Sequence, residues 1–214
     1  MIAKHAQTLA NLAECLRDDE IHVWHLPYQA TQGRAPLRRV LAAYLGIDAD
    51  TVALVDGEHG RPALASSHDQ PLGFNWSHSG DHALIALGRH VVPGIDVERR
   101  RERPRALEIA QRYFSVDEAA ALATLPAADR SDAFLELWTA KEAVLKALGR
   151  GIAFGLHRLS ITSTADQLIL RQLEDDDIHA WQLQRLAVDT TLLAALAWRG
   201  DARQIRLGTL ASIH

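Results

Sequence analysis

A helix with a lysine inside its own apolar stripe limits what this chain can fold into. Phe134, Leu137, Trp138, Val144, Leu145 and Leu148 recur at three- and four-residue spacings, the period of one buried helix face. Gly149 predicts where that helix stops. Lys141 lies four residues after Leu137 and four before Leu145, so on an ideal helix its ammonium points into the stripe. A buried ammonium without a counter-charge is too costly to be filler, so Lys141 needs a partner or a task. Glu142 and Lys146, one turn apart, fall at the edge of the stripe, either as an ordinary surface pair or facing a cleft.

With 214 residues, 48% of them apolar, the chain has enough material for one large core or two small ones. A net charge of −4 with both signs interspersed argues against a dedicated nucleic-acid binder. The single cysteine, Cys15, cannot form an internal disulfide; it fits a reducing compartment and is expected in the core. The first twenty residues place His5, Asn11, Glu14, Arg17, Asp18 and Asp19 among Leu and Ala at helical spacing, which predicts an amphipathic helix rather than a signal peptide. No apolar run approaches the roughly 20 residues of a membrane span. A soluble, cytoplasmic protein is expected, acting as a monomer without membrane or nucleic-acid partners.

Along the chain, Ile21 to Leu26 has strand composition and ends at Pro27; alternation puts His22 and His25 on opposite faces, which argues against a shared metal. Pro36 opens a helix that runs to Gly46, with Arg34, Arg38 and Arg39 at its basic start. Residues 51 to 75 read as loop, and Phe74 to Gly80 joins turn chemistry to ligand chemistry. Strands are expected over His82 to Gly88 and from Val91 to Glu98, then a helix over Ala106 to Tyr113, a capping box at Ser115 to Glu118, and the long helix after Pro126. Further strands are expected over Leu159 to Thr162, Leu168 to Leu173, Ile178 to Leu186 and Thr191 to Trp198, with Asp175 to Asp177 as a turn. Two short echoes, of Ile21–Leu26 in Ile178–Leu183 and of His82–Leu87 in Thr191–Leu196, suggest two related halves dividing near residue 93, as 1–92 and 93–214, with a ligand cleft between them.

Asp96 and Glu98, two apart on a strand, project from one face. Either they pair with the five arginines between Arg99 and Arg105, or, with Glu142, they make an all-oxygen site of the kind that favours Mg2+ over Zn2+. The arginine run is either solvated surface or a place to steer an acidic partner.

Five segments in order then resemble the Sfp-type 4′-phosphopantetheinyl transferases: Gly60-Arg61-Pro62, Phe74 to Gly80 (FNWSHSG), Gly94 to Glu98 (GIDVE), Arg112 to Ser115 (RYFS), and Trp138 to Glu142 (WTAKE) through Lys146 to Gly151. The resemblance covers about residues 57 to 155. It implies an α+β fold built as a single-chain pseudodimer of two related halves, each with helices packed on a small, mainly antiparallel sheet. It also implies Mg2+-dependent transfer of the phosphopantetheine arm of coenzyme A to a serine of an acidic acyl or peptidyl carrier protein, releasing 3′,5′-ADP. Carried over by position, Asp96, Glu98 and Glu142 would hold Mg2+, with Asp96, Glu142 and Lys146 as the catalytic set. Lys146, Ser77 and His78 would contact the coenzyme A phosphates, and Gly60, Arg61 and Pro62 would border the adenine and the 3′-phosphate. One departure stands out. Gln29 occupies the position of the relatives' 3′-phosphate arginine, leaving Arg34, Arg38 or Arg61 for that contact.

Overall fold

The computed structural model describes residues 15–57, 59–68 and 71–210, together with Leu9 and Ala13. The expected opening helix lies largely outside the described residues. Two compact units result: residues 1–93 with 202–214, and residues 94–201.

In the first unit, β1 (Glu20–Pro27) is central because its neighbours supply hydrogen bonds on both edges. It pairs antiparallel with β5 (His82–Arg89), which pairs antiparallel with β4 (Leu72–Ser79). On its other edge it pairs parallel with β11 (Gln204–Thr209), giving the order β11-β1-β5-β4. Alternation sends Trp24, Leu26, Phe74, Ile85 and Leu87 to one sheet face, where they pack on the apolar stripe of α1 (Ala35–Leu45). Pro36 opens α1, and Gly46, at φ 68°, closes it. A small hairpin of β2 (Leu54–Asp56) and β3 (Pro62–Leu64) lies within the segment expected to be loop.

In the second unit, β6 (Gly94–Arg99), β10 (Leu192–Arg199) and β9 (Trp181–Arg185) form an antiparallel sheet in the order β6-β10-β9. Helices α2 (Ala106–Tyr113), α3 (Val116–Thr124) and α4 (Ala127–Leu148), with the hairpin of β7 (Leu159–Ser163) and β8 (Leu168–Leu173), complete it. The helix α4 lies directly on β6. A Cβ at Gly94 would sit 2.0 Å from the Ala143 carbonyl oxygen and 2.3 Å from the Ala147 nitrogen, so only glycine permits the approach.

The fold is mixed α+β with small, mainly antiparallel sheets and four helices among the described residues. Several expectations need correction. Phe74 to Gly80 is mostly strand: Asn75 and Ser77 are buried on one face of β4, so polar character disguised a half-buried edge strand as a loop. Ile178 to Ala180 is a 3-10 turn, and the strand there begins only at Trp181. Cys15 is exposed rather than in the core, because it sits in a turn before β1. Strand β11 had no counterpart in the sequence reading, and residues 202–214 cluster with the first unit because β11 completes the β1 edge.

Candidate active site

Pleat and register place the acids. Asp96 lies opposite Ala195 and Glu98 opposite Leu193, and both partners belong to the core that packs against α4. The two carboxylates therefore share the α4 face of β6 with Gly94. On α4, Glu142 and Lys146 are one turn apart and look back at that face. The Lys146 ammonium donates to Asp96 Oδ1 at 2.7 Å and to the Ile95 carbonyl at 3.2 Å. Of the two sequence alternatives for Glu142 and Lys146, the surface pair is thus excluded.

Glu142 is 8% exposed, and its Oε1 is buried without a hydrogen-bond partner. Burial, then the charges of Asp96 and Glu98, push its carboxyl up to about 7, against the opposing pull of Lys146. The site is short of positive charge. This is the condition a divalent cation relieves, and three carboxylates with an orphaned oxygen are the hard donor set that Mg2+ takes. Among the described residues no group of three or more His, Cys, Asp or Glu stands ready as a coordination shell, and the Lys146 ammonium is seated on Asp96. The residues fit the ion in chemistry. Lys146 would have to share Asp96 with it.

Lys141 is not part of this site. It is fully buried, 2.7 Å from the Glu118 carboxylate, and donates to the carbonyls of Leu156 at 2.8 Å and Leu159 at 2.6 Å. Its ammonium also stands 4.8 Å from the Phe114 ring centroid. Burial lowers its pKa, and Glu118 opposes that shift. The same Glu118 carboxylate accepts from the Ile161 amide at 2.8 Å and the Ser115 amide at 2.9 Å, so one acid ties α3, α4 and β7 together.

The arginine run is largely paired with acids. Arg100 binds Asp132, Arg105 binds Glu108 at 2.9 Å, and Arg101 and Arg103 stand 3.6 and 4.0 Å from Glu98. Arg100, Arg101, Arg103 and Arg130 line a cavity of about 570 Å3.

The remaining predicted residues lie in the first unit. Ser77 is buried on one face of β4; His78 is exposed on the other, its ring 4.6 Å from that of Tyr28 and 5.3 Å from that of Trp76. Adjacent strand positions thus separate two side chains that the resemblance assigns to the same ligand. Gly60, at φ 74°, turns the chain before Arg61, whose burial lowers its pKa, and Pro62 is buried at the start of β3. Of the arginines that were candidates to replace Gln29, Arg34 binds Asp56 at 2.6 Å and Arg38 donates to the Val52 carbonyl at 3.3 Å. Arg61 lines a cavity of about 240 Å3.

A family described as the 4′-phosphopantetheinyl transferase superfamily matches residues 93–197, the segment that carries the acids and Lys146. The 4′-phosphopantetheinyl transferase HetI of Nostoc sp. is 34% identical over 199 residues, covering 90% of this chain and 82% of that protein. The chain belongs to the Sfp-type 4′-phosphopantetheinyl transferase family. Sfp of Bacillus subtilis is 30% identical over 143 residues, covering 67% of this chain and 62% of Sfp. The Synechocystis sp. protein slr0495 is 36% identical over 126 residues, and the match spans about half of it, 51%. In this chain the matched segment contains the β6–α4 acid cluster.

Proposed function

We propose that the protein transfers the 4′-phosphopantetheine arm of coenzyme A to a serine of an apo acyl or peptidyl carrier protein, releasing 3′,5′-ADP, with Mg2+ required. The observation that carries this reading is Lys146 seated on Asp96 beside a buried Glu142, within the segment that matches the family. The serine Oγ attacks the phosphorus that bears the pantetheine arm; the new O–P bond forms as the bond to the 3′,5′-ADP oxygen breaks. Glu142 is the carboxylate placed to accept the serine proton. Lys146 donates to the phosphate oxygens that gain charge, and Asp96 holds its ammonium in place. Asp96, Glu98 and Glu142 would hold Mg2+, which when bound supplies charge neutralisation at the diphosphate. Ser77, His78 and Lys146 are assigned to the coenzyme A phosphates, and Gly60, Arg61 and Pro62 to the adenine and 3′-phosphate.

For the carrier, the arginines offer exchangeable pairs. An acidic face would replace Asp132 at Arg100 and Glu108 at Arg105 with its own carboxylates. We also infer that the protein is a cytoplasmic monomer whose two units are related halves of a pseudodimer. The support for the halves is that β1 with β5, and β9 with β10, are antiparallel pairs built from the echoed segments.

Mass spectrometry tests the activity. With an apo carrier, coenzyme A and Mg2+, the carrier should gain the mass of one phosphopantetheine. Nucleotide release without that gain would make the protein a hydrolase, and no change at all would leave it a silent carrier-binding module. Asp96→Ala should abolish the gain; near-normal transfer by that variant would remove Asp96 from the machinery.

A further inference from the structure

Strand β7 has β8 on one edge and helices on the other, and its hydrogen bonds show which backbone groups face which way. The Arg158 carbonyl accepts from the Glu174 amide at 2.9 Å and the Thr164 amide donates to the Gln167 carbonyl at 2.9 Å, so the even-numbered positions turn toward β8. The register shift between Ser160 and Ile161 is taken up on β8, where Arg171 is the extra residue, so alternation along β7 is unbroken. Odd-numbered positions therefore face the other edge. Two of their groups are closed by side chains: Lys141 donates to the Leu159 carbonyl at 2.6 Å, and the Ile161 amide donates to Glu118 at 2.8 Å. At the other end Arg185 donates to the carbonyls of Thr164 at 2.9 Å and Ala165 at 3.0 Å. Between these closures the edge offers the Ile161 carbonyl and the Ser163 amide.

That edge borders a cavity of about 590 Å3 walled by α3, the start of α4 and β7. Leu122, Leu125 and Leu137 give it an apolar floor. Four carboxylates line it, of which Glu118 is paired with Lys141 and Glu136 with Arg185. The other two, Asp117 and Asp129, are exposed in the first turns of α3 and α4 and have no ion pair among the described residues. Helix dipoles favour acids at those positions but do not neutralise them. Arg171, on the β8 side, donates to Thr162 Oγ1 at 3.2 Å. No residue of the β6–α4 acid cluster lines this cavity.

We propose that the cavity is a docking site for an extended peptide segment of a partner protein, an apolar residue flanked by Lys or Arg, which adds to the open edge of β7. The Ile161 carbonyl and the Ser163 amide are two residues apart on one edge, the spacing at which a parallel strand answers with the N–H and C=O of a single residue. The closures at Lys141, Glu118 and Arg185 limit the window to about that length, so the segment is short. Its apolar side chain covers the leucine floor, and its flanking cations meet Asp117 and Asp129.

The test is amide NMR of the nitrogen-labelled full chain titrated with acetyl-Lys-Leu-Lys-amide. Saturable shifts centred on Ser163 are expected. The same probe methylated on the leucine nitrogen cannot donate to the Ile161 carbonyl and should bind at least about tenfold more weakly. Acetyl-Glu-Leu-Glu-amide should also lose about tenfold. Asp117→Lys and Asp129→Lys should each weaken the basic probe roughly twofold to fivefold. Ala121→Trp, at an exposed position of α3 that lines the cavity, should block binding and leave phosphopantetheine transfer unchanged. The proposal is overturned if the shifts do not saturate, if the acidic probe binds equally well, or if Ala121→Trp, folded by circular dichroism, binds as the wild type does. Equal binding of the methylated probe would make the cavity a site for apolar cations and overturn the strand pairing. Loss of transfer in Ala121→Trp would make it part of the active site and overturn a separate docking site.

Discussion

Glu142 shows how a single side chain can set function against stability. Its folded pKa of about 7, against an ordinary value of 4.5, means that between these pH values the folded protein holds a proton the unfolded chain has lost. Stability from this group is therefore full below about pH 4.5 and lost as pH rises through about 7, at a cost of at most about 3 kcal/mol. In metal-free buffer at pH 8, Glu142→Gln should raise the melting temperature by several degrees while abolishing transfer; at pH 5 it should leave the melting temperature nearly unchanged. Calorimetry at the two pH values checks this. An equal gain at both would mean that the charge of Glu142 is not what destabilises the fold. The sequence identified Glu142 as a candidate but not this environment, because its burial depends on β6, distant in the chain. Lys141 was legible in part: helical periodicity demanded a partner for it. Glu118 could not be named, because its own capping box with Ser115 already accounted for it locally.

At the scale of elements, α4 is held from both sides. Gly94 lets it settle on β6, bringing Glu142 and Lys146 to the acids, and the Lys141–Glu118 pair fixes the opposite side to α3 and β7. Removing one member of a buried pair strands the other charge, typically costing about 3–5 kcal/mol, whereas replacing both with apolar groups is often neutral. Glu118→Gln should therefore lower the urea midpoint sharply, and Glu118→Leu combined with Lys141→Met should recover only part of the loss, because it orphans the Ile161 amide and the Leu156 and Leu159 carbonyls. If Glu118→Gln left the midpoint unmoved, the pair would not be what anchors α4. The elements missed from sequence share a physical cause. Strand β4 buries Asn75 and Ser77, and β11 is largely exposed along Gln204 to Thr209, so neither carries the apolar alternation by which a strand is recognised.

At the scale of the whole chain, the first unit is closed by its last strand. Arg206 on β11 donates to Glu20 Oε1 at 2.5 Å, and Glu20 also meets Arg17 at 3.0 Å and His22 at 3.3 Å. Burial pulls the Glu20 carboxyl up, but the bonds from Arg206, Arg17 and His22 together hold it below its ordinary value. Burial drives His22 below its ordinary value despite the adjacent Glu20. Both folded pKa values lie below the unfolded ones, so both contributions are present at neutral pH. That of His22 fades as pH falls below about 6.5 and that of Glu20 as it falls below about 4.5. Denaturant midpoints should decline in acid over this range, and Arg206→Ala, by letting the folded Glu20 pKa rise toward its ordinary value, should lower the midpoint at neutral pH and flatten the lower part of the decline. Amide exchange along β11 would report the same loss locally. An unchanged acid profile in Arg206→Ala would separate Glu20 from the closure of the sheet.

Most helices and several strands are written in local periodicity, and so are the acid pair of β6 and the Glu142–Lys146 turn, because spacing alone decides which residues share a face. Sequence also determined the family, through motifs whose order survives any folding. Only tertiary structure decided that Lys146 sits on Asp96, that Lys141 is an anchor and not a site residue, and that β11 returns to β1. Each of these depends on contacts between residues far apart in the chain, and local spacing holds no record of such distances.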